Sequence, residues 1–220
     1  MRLGENTLSA LEGLANRAKP KAKTKNKAAS PAASTVSPTK TPEKPKKDGE
    51  LPDWLLEIIN SPEIASFKLR TGGISDPCPH EVALYTLHKN HSHYFGKQEY
   101  YLQVALFHKT KAKFPEIYEM MFACPNGGMR SRGVAGQMKA EGQKRGYPDI
   151  GVDIPTKDFH GLRLEVKTDK GRPHSYQLEW QERLRRHGFM SEVGKGFAEC
   201  WAIICEYAEL VELYKVYREA

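Results

Sequence analysis

Two short apolar runs, with charges set among them at every second position, constrain this chain more than anything else in it. The first is Asp149-Ile150-Gly151-Val152-Asp153-Ile154 and the second is Leu162-Arg163-Leu164-Glu165-Val166-Lys167. Side chains alternate faces along a strand. The second run therefore sends Leu162, Leu164 and Val166 one way and Arg163, Glu165 and Lys167 the other. The first turns Ile150, Val152 and Ile154 inward and leaves Asp149 on the opposite face with Asp153. Side by side, the two strands gather the carboxylates of Asp149 and Glu165 and the Lys167 ammonium on one patch. Such a patch suits a hard cation held by oxygen ligands, with a fixed positive charge beside it. That is the equipment for metal-assisted hydrolysis of a phosphodiester.

The chain around this patch has 220 residues, enough for one domain with a real core plus additions. Mean hydropathy is −0.63, and no apolar run approaches the roughly 20 residues that span a bilayer. Leu3, Leu8, Leu11 and Leu14 are separated by polar residues, so no signal-peptide core is expected. Cys78, Cys124, Cys200 and Cys205 show no framework spacing and read as reduced thiols. A cytoplasmic protein with no membrane partner is expected.

The net charge of +7 is unevenly placed: residues 1–50 hold eleven Lys/Arg against five Asp/Glu, and the rest of the chain is nearly balanced. The same segment has no Phe, Trp or Tyr, and 19–48 is mostly Lys, Ala, Pro, Ser and Thr. Such a composition cannot bury enough apolar area to offset chain entropy, so 1–50 is expected to be a disordered basic tail. A basic tail attracts polyanions or serves solubility.

Helical patterns begin near Leu51, where Asp53 is expected to cap 54–59 and Ser61-Pro62 to open another turn. Residues 71–80 read as loop, 81–89 as helix, and 51–95 together as an accessory, mainly helical region. Cys78, His80, His88, His91 and His93 are possible zinc ligands. Their spacing matches no finger pattern, and structural zinc is not expected there. From Lys97 the expected order is helix 98–113, strand 120–123, turn 125–128, helix 131–144, strands 149–154 and 162–167, helix 175–187, strand 189–193 and helix 197–210. This αβαββαβα order predicts an α/β fold, a mixed sheet flanked by helices. It fills a domain of 96–212 and leaves 213–220 as a C-terminal tail.

Further residues join the patch. Ser175 is expected to cap its helix, and Gln177 shares a face with Trp180 and Leu184, so its amide must find partners inside. Glu99 opens the helix 98–113, where an acid also suits the dipole. A glycine-rich stretch, 126–133, carries Arg130 and Arg132. With Lys139, Lys144 and Arg145 it suits phosphate neutralisation.

These elements together resemble the VRR-NUC family, the virus-type replication and repair nucleases of the PD-(D/E)xK superfamily. The resemblance runs from Gln98 to about Leu210. It rests on Glu99 with Gln103, Pro125-Asn126-Gly127-Gly128 with Arg130-Ser131, Lys139 with Glu141-Gly142, Gly146-Tyr147-Pro148-Asp149, Gly161-Leu162 with Glu165-Val166-Lys167, Ser175 with Gln177 and Trp180, and Gly188. It leaves residues 1–95 unexplained. It implies a restriction-endonuclease-like fold and a nuclease dependent on Mg2+ or Mn2+. Asp149 and Glu165 are then metal ligands, with the Val166 carbonyl as a further one and Glu99 direct or through water. Lys167 stabilises developing charge or orients the attacking water, and Gln177 supports it. Stand-alone members are similar to Holliday-junction resolvases, act as homodimers and belong to bacteria, phages or prophages. The same module ends the Fanconi-associated nuclease of eukaryotes. The implied partner is branched or junction-containing DNA. The alternatives are a nucleic-acid-binding adaptor that kept the fold without turnover, and a sequence-specific or exonucleolytic enzyme of the superfamily.

Overall fold

A computed structural model describes residues 50–67, 78–124 and 132–219. The basic tail, the 125–128 turn and Arg130 lie outside the described residues. In chain order the elements are α1 (Asp53–Ile59), α2 (Pro62–Ala65), α3 (Pro79–Lys89), a 3-10 turn at His91–Tyr94, α4 (Gln98–Lys113), α5 (Pro115–Glu119), β1 (Met121–Ala123), α6 (Arg132–Ala140), β2 (Ile150–Val152), β3 (Leu162–Lys167), α7 (Ser175–Arg186), β4 (Met190–Lys195) and α8 (Gly196–Glu219).

The four strands form one mixed sheet in the order β1-β2-β3-β4. β2 runs antiparallel to both β1 and β3, with Ile150 opposite Leu164. β4 runs parallel to β3, with Leu162 opposite Met190. A parallel neighbour needs a crossover, and α7 supplies it. β3 is flanked by strands on both edges and packs against α4, α7 and α8. All six of its residues are consequently buried. The alternation read from the sequence holds as geometry, but the charged face is interior and not an open patch.

Local signals explain most boundaries. The Ser61 hydroxyl accepts from the Ile64 amide ahead of Pro62, so α2 starts where expected. Pro115 opens the short α5, which the sequence pattern did not announce. Gly188, at φ 77°, takes the left-handed turn that ends α7. Three expectations are corrected. Pro52 holds the N-cap position of α1 and Asp53 is its first residue, with no side-chain cap. His174, not Ser175, precedes α7. The last helix runs through the expected tail to Glu219.

The core of the accessory region is completed by α4. Leu51, Leu55, Ile59, Ile64, Leu84, Leu87 and Tyr94 share one buried cluster with Tyr101 and Val104 of α4. Each full burial of such a side chain stabilises by about 1.5–3 kcal/mol. Trp54 of α1 also stacks on Phe197 of α8, with ring centroids 4.6 Å apart. Helices α1 to α3 are thereby fixed to the helices that flank the sheet. No helix among the described residues is long and apolar enough to cross a membrane.

Candidate active site

Asp149, the residue before β2, and Glu165 and Lys167 on β3 meet where the two strands pair. The Asp149 carboxylate accepts a hydrogen bond from the Val166 amide at 2.9 Å. That bond ties the loop ahead of β2 to the middle of β3. Glu165 is fully buried. Its Oε1 accepts from the Lys167 ammonium at 2.6 Å and from the Gln177 side-chain amide. Lys167 also donates to the Val166 carbonyl at 3.0 Å and stands 3.8 Å from Glu99 at the start of α4. The ammonium is thus seated among three oxygens that the motif resemblance assigns to a metal.

Gln177 reaches this cluster because of where α7 begins. Its carbonyl oxygen accepts from the His174 amide at 2.8 Å, half of a capping box, while its NH2 donates to Glu165. Ahead of Asp149, Gly146 adopts φ 79°, and a Cβ there would lie 2.4 Å from the Tyr176 ring. The glycine lets the chain approach α7 closely enough to deliver Asp149.

The electrostatics follow from burial. Desolvation pushes Glu165 up to about 7, Asp149's charge adds to this, and the Lys167 hydrogen bond opposes it. Desolvation also raises Asp149, against the Val166 amide and Lys167. Burial works against the charge of Lys167, but the hydrogen bond to Glu165 and the surrounding carboxylates outweigh it, so its pKa is raised. A protonated lysine is a charge donor and not a base.

Glu165 Oε2 is buried, and among the described residues no N–H or O–H donor reaches it; its near neighbour is the Asp149 carboxyl. A buried carboxylate oxygen left without a partner is costly unless a cation or proton serves it. Asp149, Glu165 and the Val166 carbonyl are hard oxygen donors. Mg2+ binds through one or two carboxylates and keeps several waters. The residues present fit that ion. Glu99 does not complete a tight set, because oxygens of Glu99, Asp149 and Glu165 do not all lie within 4.8 Å of one another. Its carboxylate is half-exposed and meets the cluster through Lys167.

Comparison with known proteins adds one finding. No family model matches the chain, and no curated protein does. A solved structure described as a VRR_NUC domain protein aligns at 28% identity over 51% of this chain and 88% of its own, with a TM-score of 0.45.

The basic residues are placed less uniformly. The Arg132 side chain lies outside the described residues. Lys139, Lys144 and Arg145 are exposed. Arg145 is tied to this region, its guanidinium 4.3 Å over the Tyr176 ring beside Gln177. The Arg145 carbonyl accepts from the Trp180 indole at 3.0 Å. The five zinc candidates do not converge. His80 stacks on Phe107 and bonds Tyr118, while His88, two turns along α3, bonds Asn60.

Sequence reasoning missed Arg163. It donates through Nε to the Tyr147 hydroxyl at 2.9 Å, through Nη1 to the Leu162 carbonyl at 2.8 Å and through Nη2 to Asp153 at 2.8 Å. Asp153 therefore belongs to Arg163 and not with Asp149. The sequence signal was weak, an arginine between Leu162 and Leu164 in an apolar strand; the flanking strands that force it to pair appear only in the sheet order.

Proposed function

We propose that this chain is a divalent-metal-dependent nuclease that hydrolyses phosphodiester bonds in branched DNA as a structure-selective endonuclease. The carrying observation is Glu165: a fully buried carboxylate with one oxygen that no donor among the described residues serves, paired with the Asp149 carboxyl and two residues from Lys167. Asp149 and Glu165, with the Val166 carbonyl, would hold Mg2+ or Mn2+. Such an ion polarises the phosphate and lowers the pKa of water.

The chain's own groups divide the remaining work. Lys167 keeps a positive charge fixed where negative charge grows on the phosphate oxygens. Charge stabilisation of this kind is worth roughly 3–4 kcal/mol in other enzymes. Gln177 holds the Glu165 carboxylate from α7, so that the acid keeps its orientation. Glu99 adds negative charge beside Lys167, which favours the protonated amine. Arg145 offers a guanidinium to the DNA backbone at the flank of the site. Branched DNA as substrate and a homodimeric state come from the motif resemblance.

The test is a cleavage panel of four-way junction, flap, bubble and plain duplex DNA, with Mg2+, Mn2+ or EDTA. Cleavage should require the divalent ion and favour a branched substrate. Lys167→Ala should lower it by about 10²–10³-fold while DNA binding is kept. Cleavage unchanged by Lys167→Ala would remove this cluster from the mechanism. Equal cutting of duplex at one sequence would replace structure selectivity with sequence specificity.

A further inference from the structure

Helices α2, α3 and α4 bring a second set of ligand-bearing side chains together. One carboxylate oxygen each from Glu63 and Glu81 and one ring nitrogen of His108 lie within 4.8 Å of one another. Among the described residues no other three such groups do so. His108 is the unusual member. It is 8% exposed. Its Nδ1 is buried and has no hydrogen-bond partner among the described residues. Its Nε2 stands 4.0 Å from Glu63, beyond hydrogen-bond range. A buried ring that makes no good hydrogen bond needs a reason. The chemistry of the set, one imidazole and two carboxylates from three helices, supplies one.

We propose that Glu63, Glu81 and His108 form a site for zinc or a related transition-metal ion, with water in the fourth position. Zinc takes histidine nitrogen and carboxylate oxygen at about 2.0–2.2 Å, with ligand atoms about 3.4 Å apart in a tetrahedron. The three side chains have to draw in by about 1 Å on that scale. Glu63 can do so, since its side chain is 59% exposed. Lys111 currently donates to Glu81 at 3.2 Å from a side chain that is 41% exposed. Glu81 itself is 19% exposed, so the pair is half-buried, and a divalent ion has to displace the Lys111 ammonium from it. His108 lies nine residues beyond Glu99 on α4, about 14 Å along the helix. The site is therefore separate from the cluster on β3, and it does not depend on the nuclease reading. Its effect is to fasten α2 and α3 to the helix that carries Glu99.

Zinc retention and melting temperature test it on the full chain, after metal removal and addition of Zn2+. Three proteins are compared: the unaltered chain, Glu63→Ala, and an Asp149→Asn/Glu165→Gln double variant that disarms the other cluster. The unaltered chain and the double variant should each keep a zinc ion that Glu63→Ala loses, and should melt several degrees higher with zinc. Glu63→Ala should melt like the unaltered chain without metal, because the residue is exposed. Co2+ should give the visible absorption of a tetrahedral site in the double variant. Failure of the double variant to retain zinc, or retention by Glu63→Ala equal to the unaltered chain, overturns the proposal.

Discussion

Arg163 and Glu165 stand two residues apart on one face of β3, and their surroundings treat them in opposite ways. Arg163 is paired through each of its nitrogens and has the Phe122 and Phe189 rings against its guanidinium. Glu165 is buried more deeply, yet no donor among the described residues serves one of its oxygens. A group satisfied in full holds the sheet together. A group left with spare capacity, its pKa displaced by burial and a neighbouring acid, fits the metal-binding role proposed for it. The two ends of the strand thus separate architecture from chemistry within one element.

The strongest way to break that contrast is Glu165→Gln. It should lower cleavage by about 10²–10³-fold and leave the metal-free protein at least as stable at pH 8. The substitution removes a carboxylate whose ionisation is opposed by burial. Loss of cleavage matched by an equal loss of urea stability would make Glu165 a second Arg163. The converse variant, Arg163→Met, strips partners from Tyr147 and Asp153. It should destabilise by about 3 kcal/mol, the lower end for a broken buried pair, because Asp153 is 52% exposed and can rehydrate. A urea midpoint that hardly moves would deny the structural role.

The smallest effect is the pH dependence, and its sign is opposite to that of an ordinary salt-bridged acid. Glu165 is raised from 4.5 to about 7 in the folded chain. Between those values the folded state binds more protons than the unfolded one. Its contribution to stability therefore falls as pH rises through the window. Lys167 also has a raised pKa, but its contribution is lost only at alkaline pH, outside that window. Melting curves with EDTA should show the decline. Mg2+ should raise the melting temperature more at pH 8 than at pH 5, since it binds the ionised acids. An equal Mg2+ gain at both values would place the ion elsewhere.

Much of this was legible beforehand for an identifiable reason. A two-residue period is unambiguous, so the pairing of Asp149 with Glu165 and Lys167 followed from the pattern. The 98–113 and 162–167 spans, bounded by clear polarity changes, match α4 and β3 residue for residue. Burial was less visible. Only the sheet order reveals that β3 is interior, and that fact converts a surface patch into a buried ionic cluster. The Arg163 pairing depends on β2 lying alongside, which is why Asp153 was grouped with Asp149 by period alone. His174 escaped notice as a helix start because histidine is not among the usual capping residues. The reach of α8 was hidden by Glu209, Glu212 and Lys215, which interrupt its apolar positions.

Gln177 makes the opening turn of a helix and the posture of a carboxylate inseparable. Its oxygen latches the His174 amide and its nitrogen grips Glu165. Fraying at that end of α7 would leave the acid held by Lys167 alone, without any change in the sheet. Whatever disturbs that single turn would reach the Glu165 carboxylate through one amide.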